Sequence, residues 1–161
     1  MDEERKRHLL VQQRDITLDA SIGSGSYGVV LLGQYRGDKV AVKVPFPPGS
    51  GSSPAQLELD KRQCLNELLL HDQVQAPSVV HLLGFHETNT GIVTVLEYAT
   101  HGTLHSLLLT HAHAIPELPP ALLLHILTDV TNALVFLHGK NVLHRDIKPA
   151  NILLFTGLRA K

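Results

Sequence analysis

Between Ile16 and Val44 the chain alternates β-forming residues with glycines at positions 23, 25, 28, 33 and 37, and this punctuation is the tightest constraint on its fold. Such a pattern predicts short antiparallel strands joined by turns. Three strands are expected, one of them near Val29 to Tyr35 and the next near Lys39 to Val44, with Gly37-Asp38 as the tight turn between these two. Pro45 to Pro54 (PFPPGSGSSP) breaks all periodicity and reads as a loop. A helix over Ala55 to Val74 follows, with Leu57, Leu65, Leu68 and Leu69 at helical spacing, Glu58, Lys61, Arg62 and Glu67 on polar positions, and Ala76-Pro77 to end it. Val79 to Leu83 and Ile92 to Leu96, flanking a polar turn at Glu87 to Gly91, add two strands, which makes five strands and one helix.

After His101-Gly102 the pattern becomes helical, with a short segment around Leu104 to Thr110 and a long one from Pro120 to His138. Pro119-Pro120 suits the start of the long helix and Gly139 a left-handed cap at its end, while Leu123, Leu127, Val130, Leu134 and Leu137 form an apolar stripe. An antiparallel sheet followed by helices defines an α+β chain.

Composition narrows the setting. A chain that is 43% hydrophobic and 18% charged is globular in character, and a net charge of −1 supplies no basic surplus for nucleic acid or an anionic membrane. Cys64 is the single cysteine, which excludes an internal disulfide and a cysteine zinc cluster; a reducing, cytoplasmic location is the expectation. The charged start, Met1 to His8, is followed by only three apolar residues before Gln12, too few for a signal peptide, and no run approaches about 18 consecutive apolar residues. Among the histidines, His101, His105, His111 and His113 lack an accompanying carboxylate or cysteine and read as surface residues.

Three motifs carry chemistry. Gly23-Ser24-Gly25-Ser26-Tyr27-Gly28-Val29-Val30 has the form G-x-G-x-x-G-x-V. The same glycine spacing opens dinucleotide-binding βαβ units, but no amphipathic helix follows directly, so the reading is a glycine hairpin that turns the chain or lets backbone amides approach phosphates. Val40-Ala41-Val42-Lys43 puts a lysine on an alternating strand, on the same face as Ala41. His144-Arg145-Asp146-Ile147-Lys148-Pro149-Ala150-Asn151 sets an acid, a lysine and a carboxamide at fixed offsets just after the long helix.

In that order, these motifs resemble those of eukaryotic protein kinases. The resemblance implies a protein-kinase-like fold: a charged extension over 1–13, then a partial kinase domain over 14–161, divided into an N-lobe with hinge (14–98) and a partial C-lobe (99–161). It also implies ATP, Mg²⁺ and a protein substrate. Lys43 would contact the α- and β-phosphates and pair with a helix glutamate, Glu67 first and Glu58 as the alternative. Asp146 would orient the substrate hydroxyl, Lys148 would add positive charge at the transferred phosphoryl group, and Asn151 would ligate Mg²⁺. Ile22, Gly23, Gly25 and Gly28 belong to the loop over the nucleotide. Leu96-Glu97-Tyr98-Ala99 resembles the hinge, with the Glu97 carbonyl and the Ala99 N–H facing adenine, Leu96 behind it, and Val30, Ala41 and Leu153 sandwiching the ring.

A lysine two residues after the aspartate is the serine/threonine-type pattern, and Asp15-Ile16, Gln34 to Gly37 and Val40 to Val44 look most like the tyrosine-kinase-like group. His71, four residues after Glu67, stands where the family usually places an apolar side chain. No D-F-G or A-P-E motif follows Asn151, so this stretch by itself is expected to lack phosphotransfer activity and to be a fragment of a serine/threonine kinase. A truncated pseudokinase, acting as a nucleotide-binding or interaction module, is the alternative. Part of the apolar stripe on the long helix is expected to be exposed.

Overall fold

A computed structural model describes residues 3–25, 28–49, 53–112 and 118–161, without the side chains of 111 and 112. The elements in chain order are α1 (Glu3–Leu9), β1 (Ile16–Gly25), β2 (Gly28–Tyr35), β3 (Asp38–Pro45), α2 (Pro54–Gln73), β4 (Leu82–Thr88), β5 (Gly91–Glu97), α3 (Leu104–Ala112), α4 (Pro120–Gly139), β6 (Leu154–Phe155) and β7 (Arg159–Ala160). They form two compact units, one of Met1–Gln73 with His81–Tyr98, the other of Val74–Val80 with Ala99–Lys161.

The first unit is built on an antiparallel sheet of five strands in the order β1-β2-β3-β5-β4. The β2–β3 turn is Arg36-Gly37, one residue earlier than the expected Gly37-Asp38, because Tyr35 pairs with Asp38. A two-residue turn that follows the strand twist needs positive φ at both positions, and Arg36 (φ 54°) and Gly37 (φ 92°) supply it. Alternation along the strands sorts the side chains into two clusters. On one face Leu65, Leu68 and Leu69 of α2 pack with Leu82, Phe85 and Ile92; on the other, Tyr35, Val40, Val42 and Val95 are buried together. Ser53 caps α2, its Oγ accepting from the Gln56 N–H at 3.1 Å.

The fourth strand begins later than its β-branched run suggests. Val79 and Val80 precede it, because the chain is still turning there, with the Val79 N–H on the Ala76 carbonyl at 3.0 Å. β4 runs on to Thr88, so the expected polar turn shrinks to Asn89-Thr90.

The second unit packs Leu104 of α3, Ile126 of α4, Ile152, Leu154 of β6 and Ala160 of β7 into one core, with Leu107, Leu122 and Val130 against it. Thr103 caps α3, its Oγ1 accepting from the Ser106 N–H at 3.0 Å. The expected stripe on α4 holds at Leu137, which is buried, and at Val130, which packs against the core, but Ile126 takes the inward place expected of Leu127, which is exposed. So many positions of this helix are apolar that spacing admits more than one inward face. By length and composition alone α4 also qualifies to cross a membrane.

Its end differs too. Gly139 is the last helical residue, and the left-handed position is Asn141 (φ 58°). The Val142 N–H reaches the Leu137 carbonyl at 2.9 Å and the Asn141 N–H the His138 carbonyl at 2.9 Å, the paired bonds of a Schellman cap.

Candidate active site

Each half of the expected site lies in its own unit. In the first unit, β1 and β2 carry the glycine motif, whose tip, Ser26 and Tyr27, lies outside the described residues. The three glycines differ in what they are for. A Cβ on Gly28 would overlap the Val44 carbonyl of β3, so packing of the sheet itself requires glycine there. Among the described residues, a Cβ on Gly23 or Gly25 would meet nothing within 4 Å. None of the described residues demands glycine at those two positions.

Lys43 pairs across the sheet with Val30 on one side and Thr94 on the other, and Ala41 with Leu32 and Leu96. Directly paired residues share a face, so Val30, Ala41, Lys43 and Leu96 lie on the α2 side, where Leu96 packs against the α2 cluster. On α2 the half-buried Cys64 joins that cluster, and burial first, then the Glu67 charge, push its thiol pKa up while the Lys43 charge pulls it down. Lys43 and Glu67 therefore both act on one thiol. Glu58 instead engages Lys61 at 3.5 Å.

Ala41 is buried, Val30, Leu96, Glu97, Ala99 and Leu153 are partly buried, and Ile22 is exposed. Glu97 closes on the start of β4: its N–H donates to the His81 carbonyl at 3.0 Å and its Oε1 accepts from the His81 N–H at 2.6 Å. The family resemblance implies only a backbone role for Glu97, and a strand-end carboxylate gives no periodic signal for such a contact. The first unit ends at Tyr98 and the second starts at Ala99.

In the second unit the loop after α4 brings its three polar groups together. Asp146 Oδ2 accepts from Asn151 Nδ2 at 2.8 Å and pairs with Lys148 Nζ at 2.9 Å, and Asn151 Nδ2 also donates to the Asp146 carbonyl at 2.9 Å. The Lys148 hydrogen bond first, and the Asn151 bond second, hold the exposed Asp146 carboxyl below its usual range, so it is ionised at neutral pH. His144 Nδ1 accepts the Asp146 N–H at 3.3 Å. Arg145 takes a left-handed φ of 66°, a conformation rare for a residue with a Cβ and often found at functional sites.

Both ends of this loop are anchored. The Schellman cap holds the start. At the far end, Pro149–Asn151 makes one 3₁₀ turn, after which the Ile152 carbonyl accepts from the Leu104 N–H at 2.8 Å and the Leu154 N–H donates to the Gly102 carbonyl at 2.8 Å. The β6–β7 hairpin closes on a contact that the sequence did not advertise. Asp129 of α4, 4% exposed, accepts from Arg159 Nε and Nη2, both at 2.8 Å, and from the Ala160 N–H at 3.0 Å. Burial raises the Asp129 pKa, but these donors outweigh it and the net shift is downward.

Asn151 fits a hard cation. Its Nδ2 is committed to Asp146, which leaves the amide oxygen, the atom type that Mg²⁺ prefers, for a ligand. Among the described residues no group of three or more His, Cys, Asp or Glu forms a metal cluster; His113 and the His111 side chain lie outside the described residues.

A five-stranded sheet with a glycine turn and a strand lysine, and a capped loop that presents aspartate, lysine and asparagine after a helix, are the parts of a protein-kinase-like fold. The sequence profile of the family described as "Protein kinase domain" matches residues 16–159, and the chain belongs to that family. It is 34% identical to serine/threonine-protein kinase 36 of Pongo abelii over 84% of the chain and 10% of that protein. It is 31% identical to the megakaryocyte-associated tyrosine-protein kinase of Rattus norvegicus over 99% of the chain and 32% of that protein, and 30% identical to tyrosine-protein kinase csk-1 of Caenorhabditis elegans over 98% and 27%. The chain thus spans about a tenth to a third of these relatives.

Proposed function

We propose that this chain binds ATP with Mg²⁺ and supplies the nucleotide-binding and catalytic-loop parts of a protein serine/threonine kinase. The observation that carries the reading is the convergence of Lys148 and Asn151 on Asp146 Oδ2 at 2.9 and 2.8 Å. A carboxylate with its pKa held down is a weak base, which suits a phosphoryl transfer whose loose transition state asks for orientation of the hydroxyl more than for early deprotonation. Oδ1 is left to accept the hydroxyl, and Lys148 offsets charge on the transferred phosphoryl group.

In the first unit, Gly23 and Gly25 leave room for phosphates, with Ile22 and Gly28 flanking them. Lys43 neutralises the α- and β-phosphates and Glu67 is its partner on α2. In the same unit Val30, Ala41 and Leu96 supply apolar surface for the base, with the Glu97 carbonyl as a hydrogen-bond acceptor. Mg²⁺, when bound, would neutralise phosphate charge, with Asn151 among its ligands. Serine/threonine preference rests on Lys148, two residues after Asp146.

Calorimetry of the whole chain with ATP tests the reading. Mg²⁺-dependent binding is expected, about tenfold weaker in Lys43→Met, as for loss of one charged hydrogen bond, and with a reduced Mg²⁺ dependence in Asn151→Ala. Absence of any binding by the unaltered chain overturns it. Transfer to tyrosyl but not to seryl or threonyl peptides, by protein containing this segment, would overturn the specificity.

A further inference from the structure

The charged segment before Ile16 lies outside the matched kinase residues, yet it is folded into the first unit. Leu9 is 4% exposed, in the same cluster as Leu65, Leu68 and Leu69 of α2 and Leu82 and Phe85 of β4. Two residues on, Val11 is buried in the cluster on the opposite face of the sheet, with Val40, Val42 and Val95. The segment therefore crosses the edge of β4 and ties both cores together. It bonds to that edge as a short extra strand, through a parallel bridge between Leu10 and Phe85 and the Val11 N–H on the Phe85 carbonyl at 2.9 Å.

β4 is shaped to receive it. Gly84 has φ 155°, and a Cβ there would stand 2.5 Å from the Leu9 carbonyl oxygen and 2.6 Å from Val11 Cγ1. Charges then hold α1 to two elements at once: Arg5 Nε lies 3.5 Å from Asp72 Oδ2 in the last turn of α2, and Lys6 Nζ lies 2.9 Å from Glu87 Oε1 on β4. Exposed pairs of this kind are individually weak. The buried Leu9 supplies most of the hold, and the pairs set its direction.

We propose that Glu3–Val11 is a clasp that sets the position of α2 against the sheet, so that Leu9, Arg5 and Lys6 act as positioning residues for Glu67 and Lys43. The functional consequence rests on the reading of Lys43 and Glu67 as the ATP-binding pair. The mechanical part does not. α2 carries Glu67 one turn from Cys64 and just ahead of Leu68 and Leu69, so any movement of the helix away from the clasp moves the glutamate with it.

Cys64, the chain's single cysteine, is a built-in reporter because it packs in the clasp's own cluster. The experiment compares alkylation of Cys64 by iodoacetamide, amide exchange of α4 in the other unit, and ATP affinity in the whole chain. In Leu9→Ala, alkylation is expected to rise about tenfold or more as local opening becomes easier, with weaker ATP binding and unchanged exchange in α4. Leu9→Met restores all of these. Arg5→Glu gives a smaller change in the same direction, reversed by adding Asp72→Arg, and serves if Leu9→Ala does not fold. Unchanged Cys64 alkylation in these variants, or equal loss of protection in α4, overturns the clasp. If the unaltered chain binds no ATP, the functional reading fails while alkylation still decides the mechanical one.

Discussion

Asp146 takes two donors on a single carboxylate oxygen, and the pKa shift follows from that geometry. Lys148→Ala removes the larger contribution, so the Asp146 pKa should rise toward the ordinary carboxylate value, as read by NMR titration of its side-chain carboxyl. The sign is that of a depressed acid. The loop's hydrogen bonds are complete above the ordinary carboxylate range and are lost as pH falls through the lower, folded value, and in Lys148→Ala this loss moves to higher pH. The glycines give a second prediction at this scale. Gly28→Ala forces a Cβ into the Val44 carbonyl and should cost about 1–3 kcal/mol, as overpacking does. Gly25→Ala meets open space, so stability should change by less than about 0.5 kcal/mol while ATP affinity falls. Urea unfolding set beside calorimetry separates the two effects. The motif spacing displayed all three glycines alike; only the neighbouring strand distinguishes the packed one from the open pair.

Among the elements, α4 holds the loop of Asp146, Lys148 and Asn151 by its capped end and, through Asp129, by the hairpin that leads away from the loop. The chain of contacts runs from Asp129 to Arg159 and Ala160, across the β7–β6 pairing to Leu154, and back to Ile152 beside Asn151. Asp129→Asn keeps the shape and removes the charge, and should destabilise the second unit by about 2 kcal/mol, the scale of hydrogen bonds to a charged group. Because the folded Asp129 pKa is lowered, its contribution is present above the ordinary carboxylate pKa of about 3.9 and fades as pH drops below it. His125 Nε2, 3.7 Å away on the same helix, faces the same carboxylate. Urea titrations near neutral pH and near about pH 3 should show the two proteins converging in acid. Equal stabilities at neutral pH would refute the anchoring role. Element types were legible from periodicity where it was strong, since the five expected strands and three expected helices fall close to where the pattern puts them, whereas α1 and the β6–β7 hairpin, too short to show a period, were not expected. Phases and ends were not legible. β4 starts at Leu82, after Val79 and Val80, and α4 turns Ile126 inward rather than Leu127, because a helix apolar at most positions leaves the choice of face to what it packs against.

For the whole molecule, the two units carry separate cores, and the second leaves much apolar surface on α4 uncovered, with Leu124 and Val135 each 67% exposed. Of the expected stripe itself, Leu127 is exposed. The charged N-terminus is the largest gain from the fold over the sequence. As a string it is a mixed-charge tail with three apolar residues; in three dimensions Leu9 and Val11 enter two cores and Gly84 makes room for them. The sequence by itself determined the family, the α+β order of elements and the grouping of Asp146, Lys148 and Asn151 in one loop after a helix, because these depend on local spacing: turn glycines, alternation, and polar groups a few positions apart. Tertiary structure alone decided which glycines are packed, which face of α4 is buried, that Asp129 binds Arg159 thirty residues away, and that the N-terminal segment grips β4 and α2. Those outcomes depend on contacts between residues distant along the chain, whose pairing is set by competition for a shared core and leaves no periodic trace in the string.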